Sequence, residues 1–191
     1  MLNYARHLRA VTAVLIALSA ALGWTSLARA AGGDSGLRAK LLGAYQNVRS
    51  YKITVLGSVK SSGVFVAPER YQMTTQFEGK TVKTIFIGGT YWIYGDGKWQ
   101  KQTSGNRLDY DIEGILRSLK AHPKTSLTRL PPTTRNGKSL GTFSYTFPSS
   151  GEQEICNYDP ATYLVVRCKA EELTILYSGY NDPSNTVGTP K

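Results

Sequence analysis

The sequence predicts a mainly β protein of the α+β class, in which a long antiparallel sheet is partly covered by two helices. Short runs of alternating apolar and polar residues recur along most of the chain, as in half-buried strands. Glycine-containing pairs such as Gly88-Gly89 and Asn136-Gly137 separate these runs, as in hairpin turns. Two other stretches carry apolar residues at helical spacing. A sheet of this length must twist and curl, so the alternatives are a closed barrel and an open, half-rolled sheet.

The N-terminus has the three-part pattern of a secretory signal peptide over residues 1–30. Two arginines precede an apolar run, and the small residues Ala28 and Ala30 predict cleavage before Ala31. A membrane anchor is the less favoured alternative, because the run is shorter than the ~20 residues that a span needs. We therefore expect an exported, periplasmic protein with a single domain over residues 31–191.

The charge of the chain favours an anionic partner. The full sequence has a formal charge of +10, and removal of the three arginines of the signal peptide leaves about +7. A basic exported protein meets anionic lipid head groups, lipopolysaccharide or cell-wall polymer more readily than nucleic acid, which we do not expect as a partner. The alternative is that a modest positive charge only keeps the protein soluble.

The first predicted helix follows Asp34 and Ser35, either of which can cap it by accepting backbone N–H bonds. One face of this helix is apolar, which predicts that it packs on the sheet. That face consists of Leu37, Leu41, Ala44, Tyr45 and Val48.

The second predicted helix lies between Asp109, a plausible N-cap, and Pro123, which would stop it. Acidic residues in its first turn and Lys120 in its last turn suit the helix dipole. Its apolar residues follow the i, i+3, i+4, i+7 spacing and are Ile112, Ile115, Leu116 and Leu119.

Most of the remaining chain is predicted as strand. We expect a further turn at Ser62-Gly63, a loop at residues 130–134 (LPPTT) and a loosely held tail at residues 181–191. The predicted strand segments are 50–60, 69–79, 80–100 with two internal turns, 141–147, 152–158, 163–170 and 173–180.

Cys156 and Cys168 are the two cysteines of the chain, and an oxidising compartment favours a structural disulfide between them. Redox-active thiols usually lie two residues apart, and a zinc site needs more ligands. If the two strands form a hairpin with the cysteines directly opposed, the turn must centre on Thr162.

The segment 90–102 (TYWIYGDGKWQKQ) is rich in aromatic residues. Trp92 and Tyr94 share one face of its first strand, and Tyr91 and Ile93 share the other. Apolar residues on both faces indicate that both are covered, or that one borders a cavity. The hairpin is therefore either packed between sheet and helix or part of the wall of a lipid-sized pocket, and the two can coexist.

The order of these elements resembles a known family. A helix ending in LLGAYQNVRSY runs into the first strand, and the segments FVAPERYQMT, TIFIGGTYWIYGDGKWQK, YDPATYLVVRCKA and LTILYSGYNDP follow in the family's order. The chain thus resembles the LolA/LolB-like superfamily of periplasmic lipoprotein carriers, which also includes sensor domains. The resemblance implies an open antiparallel half-barrel, with two or three helices covering its concave face and acyl chains held between them.

The resemblance also implies a hydrophobic cavity with a wall of strand residues and a lid from the second helix. The cysteine pair departs from it, since true lipoprotein carriers do not generally have one at that place. The implied wall residues are Ile53, Val55, Tyr71, Met73, Ile85, Ile87, Trp92 and Tyr94, and the lid residues are Leu116 and Leu119.

The implied partner is a lipid or an acylated protein, with an inner- or outer-membrane protein as a further candidate. An envelope sensor or protein-interaction module on the same fold is the alternative. Basic residues at the rim could meet a phosphate head group, although ordinary solvated charges are more common. They are Lys60, Lys98, Lys101 and Arg107.

Residue types for catalysis are scarce. His122 is the one histidine of residues 31–191, and its place at a helix end favours a surface position. Asp109, Asp111 and Glu113 fit a helix start, while Glu152 and Glu154 share one face of a strand, where edge charges are common. We therefore do not expect an enzyme, a cofactor or a metal site.

Overall fold

The computed structural model describes residues 34–77, 79–95, 97–103, 112–122, 127–147, 151–170 and 172–190. Several predictions fall outside these ranges and stay predictions. They are the signal peptide with its cleavage site, the cap at Asp109, the stop at Pro123 and the rim residue Arg107.

Eleven strands form one open antiparallel sheet in the described part of the chain. Its order is β6-β5-β4-β3-β2-β1-β11-β10-β9-β8-β7, so two meanders meet where β1 pairs with β11, and β6 and β7 are the edges. The strands are β1 Ser50–Leu56, β2 Lys60–Val66, β3 Arg70–Phe77, β4 Lys80–Ile87, β5 Thr90–Gly95, β6 Lys98–Thr103, β7 Leu127–Arg135, β8 Lys138–Thr146, β9 Gln153–Tyr158, β10 Val165–Ala170 and β11 Leu173–Ser178.

The two predicted helices are present as α1, Ser35–Ala44, and α2, Ile112–Ala121, and a 3-10 turn at Tyr45–Asn47 extends α1. Asp34 caps α1, because its Oδ1 accepts the backbone N–H of Leu37 at 2.8 Å. The apolar residues predicted for α2 are all buried. The mainly β class, the open sheet and the half-barrel architecture are thus confirmed, with two α-helices among the described residues.

One face of the sheet packs against the helices, and we call it the helix-side face. Residues directly opposite one another in neighbouring strands point to the same face, so the strand pairings identify it. The main hydrophobic cluster combines the buried residues of both helices with five aromatic residues in one row across this face. The row is Tyr51, Phe65, Tyr71, Phe86 and Tyr91, from β1 to β5. The opposite face is called the outer face.

The predicted disulfide is present between Cys156 and Cys168. The two residues are directly opposed in the β9–β10 pair, and Thr162 lies within the connection of residues 159–164, as the symmetric hairpin required. Both cysteines are completely buried on the helix-side face.

Several local predictions were wrong. The predicted strand 50–60 is divided by a bend at residues 57–59. Residues 130–134 belong to the edge strand β7, where a shift of register follows Leu130. Proline cannot donate a backbone hydrogen bond, but an edge strand has a side on which none is needed. Ser62-Gly63 lies inside β2 and does not form a turn. The glycine is needed there for packing, because a Cβ at Gly63 would lie only 2.3 Å from the carbonyl oxygen of Gln72 in the neighbouring strand.

The C-terminal segment is also not loose. The backbone N–H of Asn181 donates to the Ser50 carbonyl at 2.9 Å, and the side-chain amide of Asn185 donates to the Ser50 hydroxyl at 3.0 Å. Arg70 donates to the Val187 carbonyl at 2.7 Å. Since β1 and β3 supply these partners, the tail lies against the first half of the sheet.

Candidate ligand-binding face

The structure does not bring the eight predicted wall residues together on one face. Phe86 is directly opposite Tyr71 and Tyr91, whereas Ile85 is opposite Gln72 and Trp92. The helix-side face therefore holds Ile53, Val55, Tyr71 and Met73, and the outer face holds Ile85, Ile87, Trp92 and Tyr94.

The predicted lid residues lie on the same side of the sheet as the four helix-side wall residues. Leu116 and Leu119 are buried and belong to the same cluster as Tyr71, with Ile53, Val55 and Met73 packed against it. No observation tests ligand binding by any of these residues, so their role stays a prediction.

The aromatic row fills the space beneath the helices. The rings of Tyr51 and Phe65 stack with centroids 4.9 Å apart, and those of Tyr71 and Phe86 stack at 5.1 Å. Tyr91 continues the row, with its ring centroid 4.7 Å from that of Phe86. All five side chains are buried. Sequence reasoning assigned no role to Phe65 and Phe86, because each has an apolar residue on both sides in the chain and alternation therefore does not mark its face.

Beyond the aromatic row, the helix-side face of β1 to β5 is only half-buried. Ile53, Gly63, Met73, Thr84 and Ile93 are opposite one another in successive strands. Val55 and Val82 lie in the next row. We call the half-buried apolar members of these two rows the apolar strip, which consists of Ile53, Val55, Met73, Val82 and Ile93.

Gly63 explains how the strip stays continuous across β2. A Cβ at this glycine would lie 2.7 Å from Cγ of Met73, so the methionine side chain passes over the place where a side chain is missing. Two polar residues next to the strip are paired with each other, because the Ser61 hydroxyl donates to the Thr75 hydroxyl at 2.9 Å.

A pocket of about 420 Å³ lies where the β1–β2 and β3–β4 hairpins end, beyond the last row of the strip. Lys60, Lys80 and Phe77 are among its lining residues. By alternation Phe77 and Lys80 belong to the helix-side face, as does Lys98 at the start of β6. Of the predicted rim lysines, Lys60 lines this pocket from the outer face, opposite Gln76, and Lys101 also lies on the outer face.

A second depression, of about 350 Å³, lies on the outer face between the sheet and the C-terminal segment. Most of its lining residues are polar, and it shares Ile53 with the strip. The residues are Lys52, Ile53, Thr54, Ser62, Gly63, Val64, Gln72, Thr74, Ser178 and Thr186.

Glu154 is a buried carboxyl group that sequence reasoning assigned to an exposed edge. It is 7% exposed and lies on the helix-side face, directly opposite Tyr145. Burial raises the pKa of Glu154 to about 7, and the negative charge of Glu152 adds to the effect. The Cys156 and Cys168 sulfurs lie within 4.8 Å of its carboxylate, but they are bonded to each other and cannot serve as thiolate ligands of a metal.

The helices of the described residues are too short or too polar to cross a bilayer. No protein-family model matches the chain, and no curated protein matches it in sequence.

Solved structures do resemble it. LprF from Mycobacterium bovis is 15% identical, with a TM-score of 0.55, over 82% of this chain and 96% of that one. MucB is 11% identical, with a TM-score of 0.46, over 82% of this chain and 63% of that one. A DUF1329 family protein from Desulfovibrio piger is 9% identical, with a TM-score of 0.38, over 78% of this chain and 92% of that one. The likeness to LprF shows the fold alone, and the open antiparallel half-barrel agrees with the architecture that the resemblance predicted.

Proposed function

We propose that the protein is a non-catalytic carrier of the cell envelope that binds the acyl chains of a lipid or lipidated protein. The apolar strip is the observation that carries this proposal. It begins at the buried aromatic row beneath the helices and ends near the pocket that Lys60 and Lys80 line. An acyl chain fits the strip, and a phosphate head group fits the pocket.

The dimensions and the energy suit a long acyl chain. Across five strands spaced by ~4.8 Å, the row from Ile53 to Ile93 extends over about 19 Å. Each buried methylene contributes about 0.8 kcal/mol, so ten of them supply about 8 kcal/mol of gross affinity before the loss of chain entropy.

The second helix is the natural cover for this ligand. One face of α2 is buried on the cluster, while Arg117 and Lys120 on its other face are exposed. The aromatic row already fills the space beneath it, so a ligand that extends from the strip under α2 requires the helix to move outward. The half-barrel fold, shared with LprF, supports an arrangement in which helices cover a sheet face.

Detergent-free purification followed by native mass spectrometry tests the proposal. We expect a lipid or acylated adduct that is lost on denaturation, or uptake of added phosphatidylglycerol by the purified protein. A clean unliganded mass with no uptake would contradict the proposal.

A pair of neighbouring variants locates the site. Met73→Glu places a charge in the apolar strip, and Gln72→Glu places the same charge on the outer face one residue away. We expect Met73→Glu to weaken uptake at least tenfold and Gln72→Glu to change it less than twofold, with both folded by circular dichroism. If the two variants take up phosphatidylglycerol equally, the apolar strip is not part of the binding site.

The alternative is an envelope sensor or protein-interaction module on the same fold. The complete burial of the aromatic row favours it, because a filled core leaves binding to the surfaces. A protein of this kind would keep its unliganded mass in the experiment above.

A further inference from the structure

The outer face carries an aromatic and basic surface that the carrier proposal does not use. It lies on β4, β5 and β6, and we call it the aromatic–lysine patch. It consists of Trp92, Tyr94 and Trp99 together with Lys83 and Lys101.

The strand register brings these side chains together on one face. Trp92 is directly opposite Lys101, and Tyr94 is directly opposite both Lys83 and Trp99. The rings of Tyr94 and Trp99 have centroids 5.2 Å apart, and Nζ of Lys83 is 5.9 Å from the Tyr94 centroid. The three rings are half-buried, whereas both lysines are exposed.

The described charged residues of the range 80–103 are all basic. Lys83 and Lys101 lie on the outer face within the patch, whereas Lys80 and Lys98 lie on the helix-side face. The C-terminal tail finds its hydrogen-bond partners on β1 and β3, through Ser50 and Arg70, whereas the patch lies farther toward the β6 edge.

We propose that the aromatic–lysine patch docks the protein on the surface of a bilayer that contains anionic lipid. Indole and phenol rings have an apolar body and a polar edge, which suits the head-group region where tryptophan and tyrosine concentrate. Lysines beside them attract anionic head groups within a Debye length. The patch lies on the opposite face from the apolar strip, so docking leaves the strip free and does not depend on the proposed carrier function.

The tryptophans of the patch report directly on docking. Trp24 belongs to the predicted signal peptide, so Trp92 and Trp99 are the only tryptophans of residues 31–191. Exported protein mixed with vesicles of phosphatidylcholine and phosphatidylglycerol should float with them and show a blue-shifted emission. Vesicles of phosphatidylcholine alone should bind at least tenfold more weakly, and high salt should weaken binding to the anionic vesicles.

A charge-matched pair of variants tests the location. Lys83→Glu with Lys101→Glu should reduce binding to anionic vesicles at least tenfold. Lys138→Glu with Lys169→Glu makes the same change of charge on β8 and β10, at exposed positions in the other half of the sheet, and should reduce it less than threefold. The Met73→Glu variant should float like the unmodified protein, so a failure of acyl uptake and a failure of docking are distinguishable.

Three results would overturn the proposal. Equal losses in the two lysine pairs would mean that net charge alone drives binding. Flotation without a shift of emission would place the contact on another surface. If the protein floats with none of the vesicles, the patch does not bind a bilayer, and its partner belongs to another class, such as a protein.

Discussion

Two parts of the same sheet differ in how completely their helix-side faces are buried. In β7–β10, the disulfide half, the side chains of Phe143, Tyr145, Cys156 and Cys168 are completely buried. In β3–β6, the aromatic half, burial stops after one row, and Met73 and Ile93 are only half-buried. One sheet thus combines a closed core with an open apolar surface.

The helices are tied to the disulfide half by polar contacts. Asp34, the cap of α1, accepts a hydrogen bond from Arg129 of β7 at 2.7 Å, and its backbone N–H donates to the Leu127 carbonyl at 3.0 Å. The Tyr145 hydroxyl of β8 donates to Ser118 of α2. These bonds join α1 to β7 and α2 to β8, both strands of the disulfide half.

Phe86→Ala tests whether the aromatic row is structural, and we expect the largest effect here. Phe86 is 3% exposed and contacts the rings of both Tyr71 and Tyr91, so its removal leaves a cavity. The free energy of unfolding should fall by about 4 kcal/mol in a urea titration. Phe77→Ala, at the half-buried end of β3, is the control and should lose much less. If the free energy of unfolding falls by less than about 1 kcal/mol in Phe86→Ala, the aromatic row is not a closed core and resembles the apolar strip.

Glu154 should make the disulfide half sensitive to pH. Its folded pKa is about 7, above the ordinary value of 4.5, so the folded chain holds the proton more tightly than the unfolded chain. Raising the pH from about 4.5 through about 7 should therefore lower the free energy of unfolding, by roughly 3 kcal/mol in total for this group, and the loss should level off about one pH unit above the folded pKa. Denaturant titrations across this range measure the slope.

Substitution separates Glu154 from its neighbours. Glu154→Gln should remove most of the slope, while the exposed Glu152→Gln should reduce it only slightly, because burial is the main cause of the raised pKa. An unchanged slope in Glu154→Gln would show that this carboxyl group does not hold its proton in the folded state.

Met73→Ala should have the smallest effect on stability and a clear one on binding. Its side chain is half-buried in the apolar strip, so truncation should lower the free energy of unfolding by less than about 1 kcal/mol, well below the value for a core methionine. Uptake of phosphatidylglycerol should nevertheless fall severalfold. A large loss of stability would assign Met73 to the closed core and weaken the contrast between the two halves.

The sequence by itself determined the faces of those elements in which apolar residues occupy one side only. Apolar residues alternate clearly with polar ones in β3, so Tyr71 and Met73 were assigned to the correct common face. The spacing of Ile112, Ile115 and Leu119 predicted the buried face of α2. The pairing of Cys156 with Cys168 was predicted from the oxidising compartment, and the centre of the connection at Thr162 followed once the two cysteines were taken as directly opposed.

Tertiary structure decided what local patterns leave open. In β4 and β5 both faces are apolar, so only pairing with β3 shows that Phe86 is on the helix side and Ile85 on the outer side. The position of β7 at an edge lets Pro131 and Pro132 lie in a strand. Glu154 is buried on the helix-side face, opposite Tyr145 of β8 and beside the Cys156–Cys168 disulfide, and both neighbours come from pairing with other strands. Alternation records which residues share a face, but what covers that face depends on segments distant in the chain.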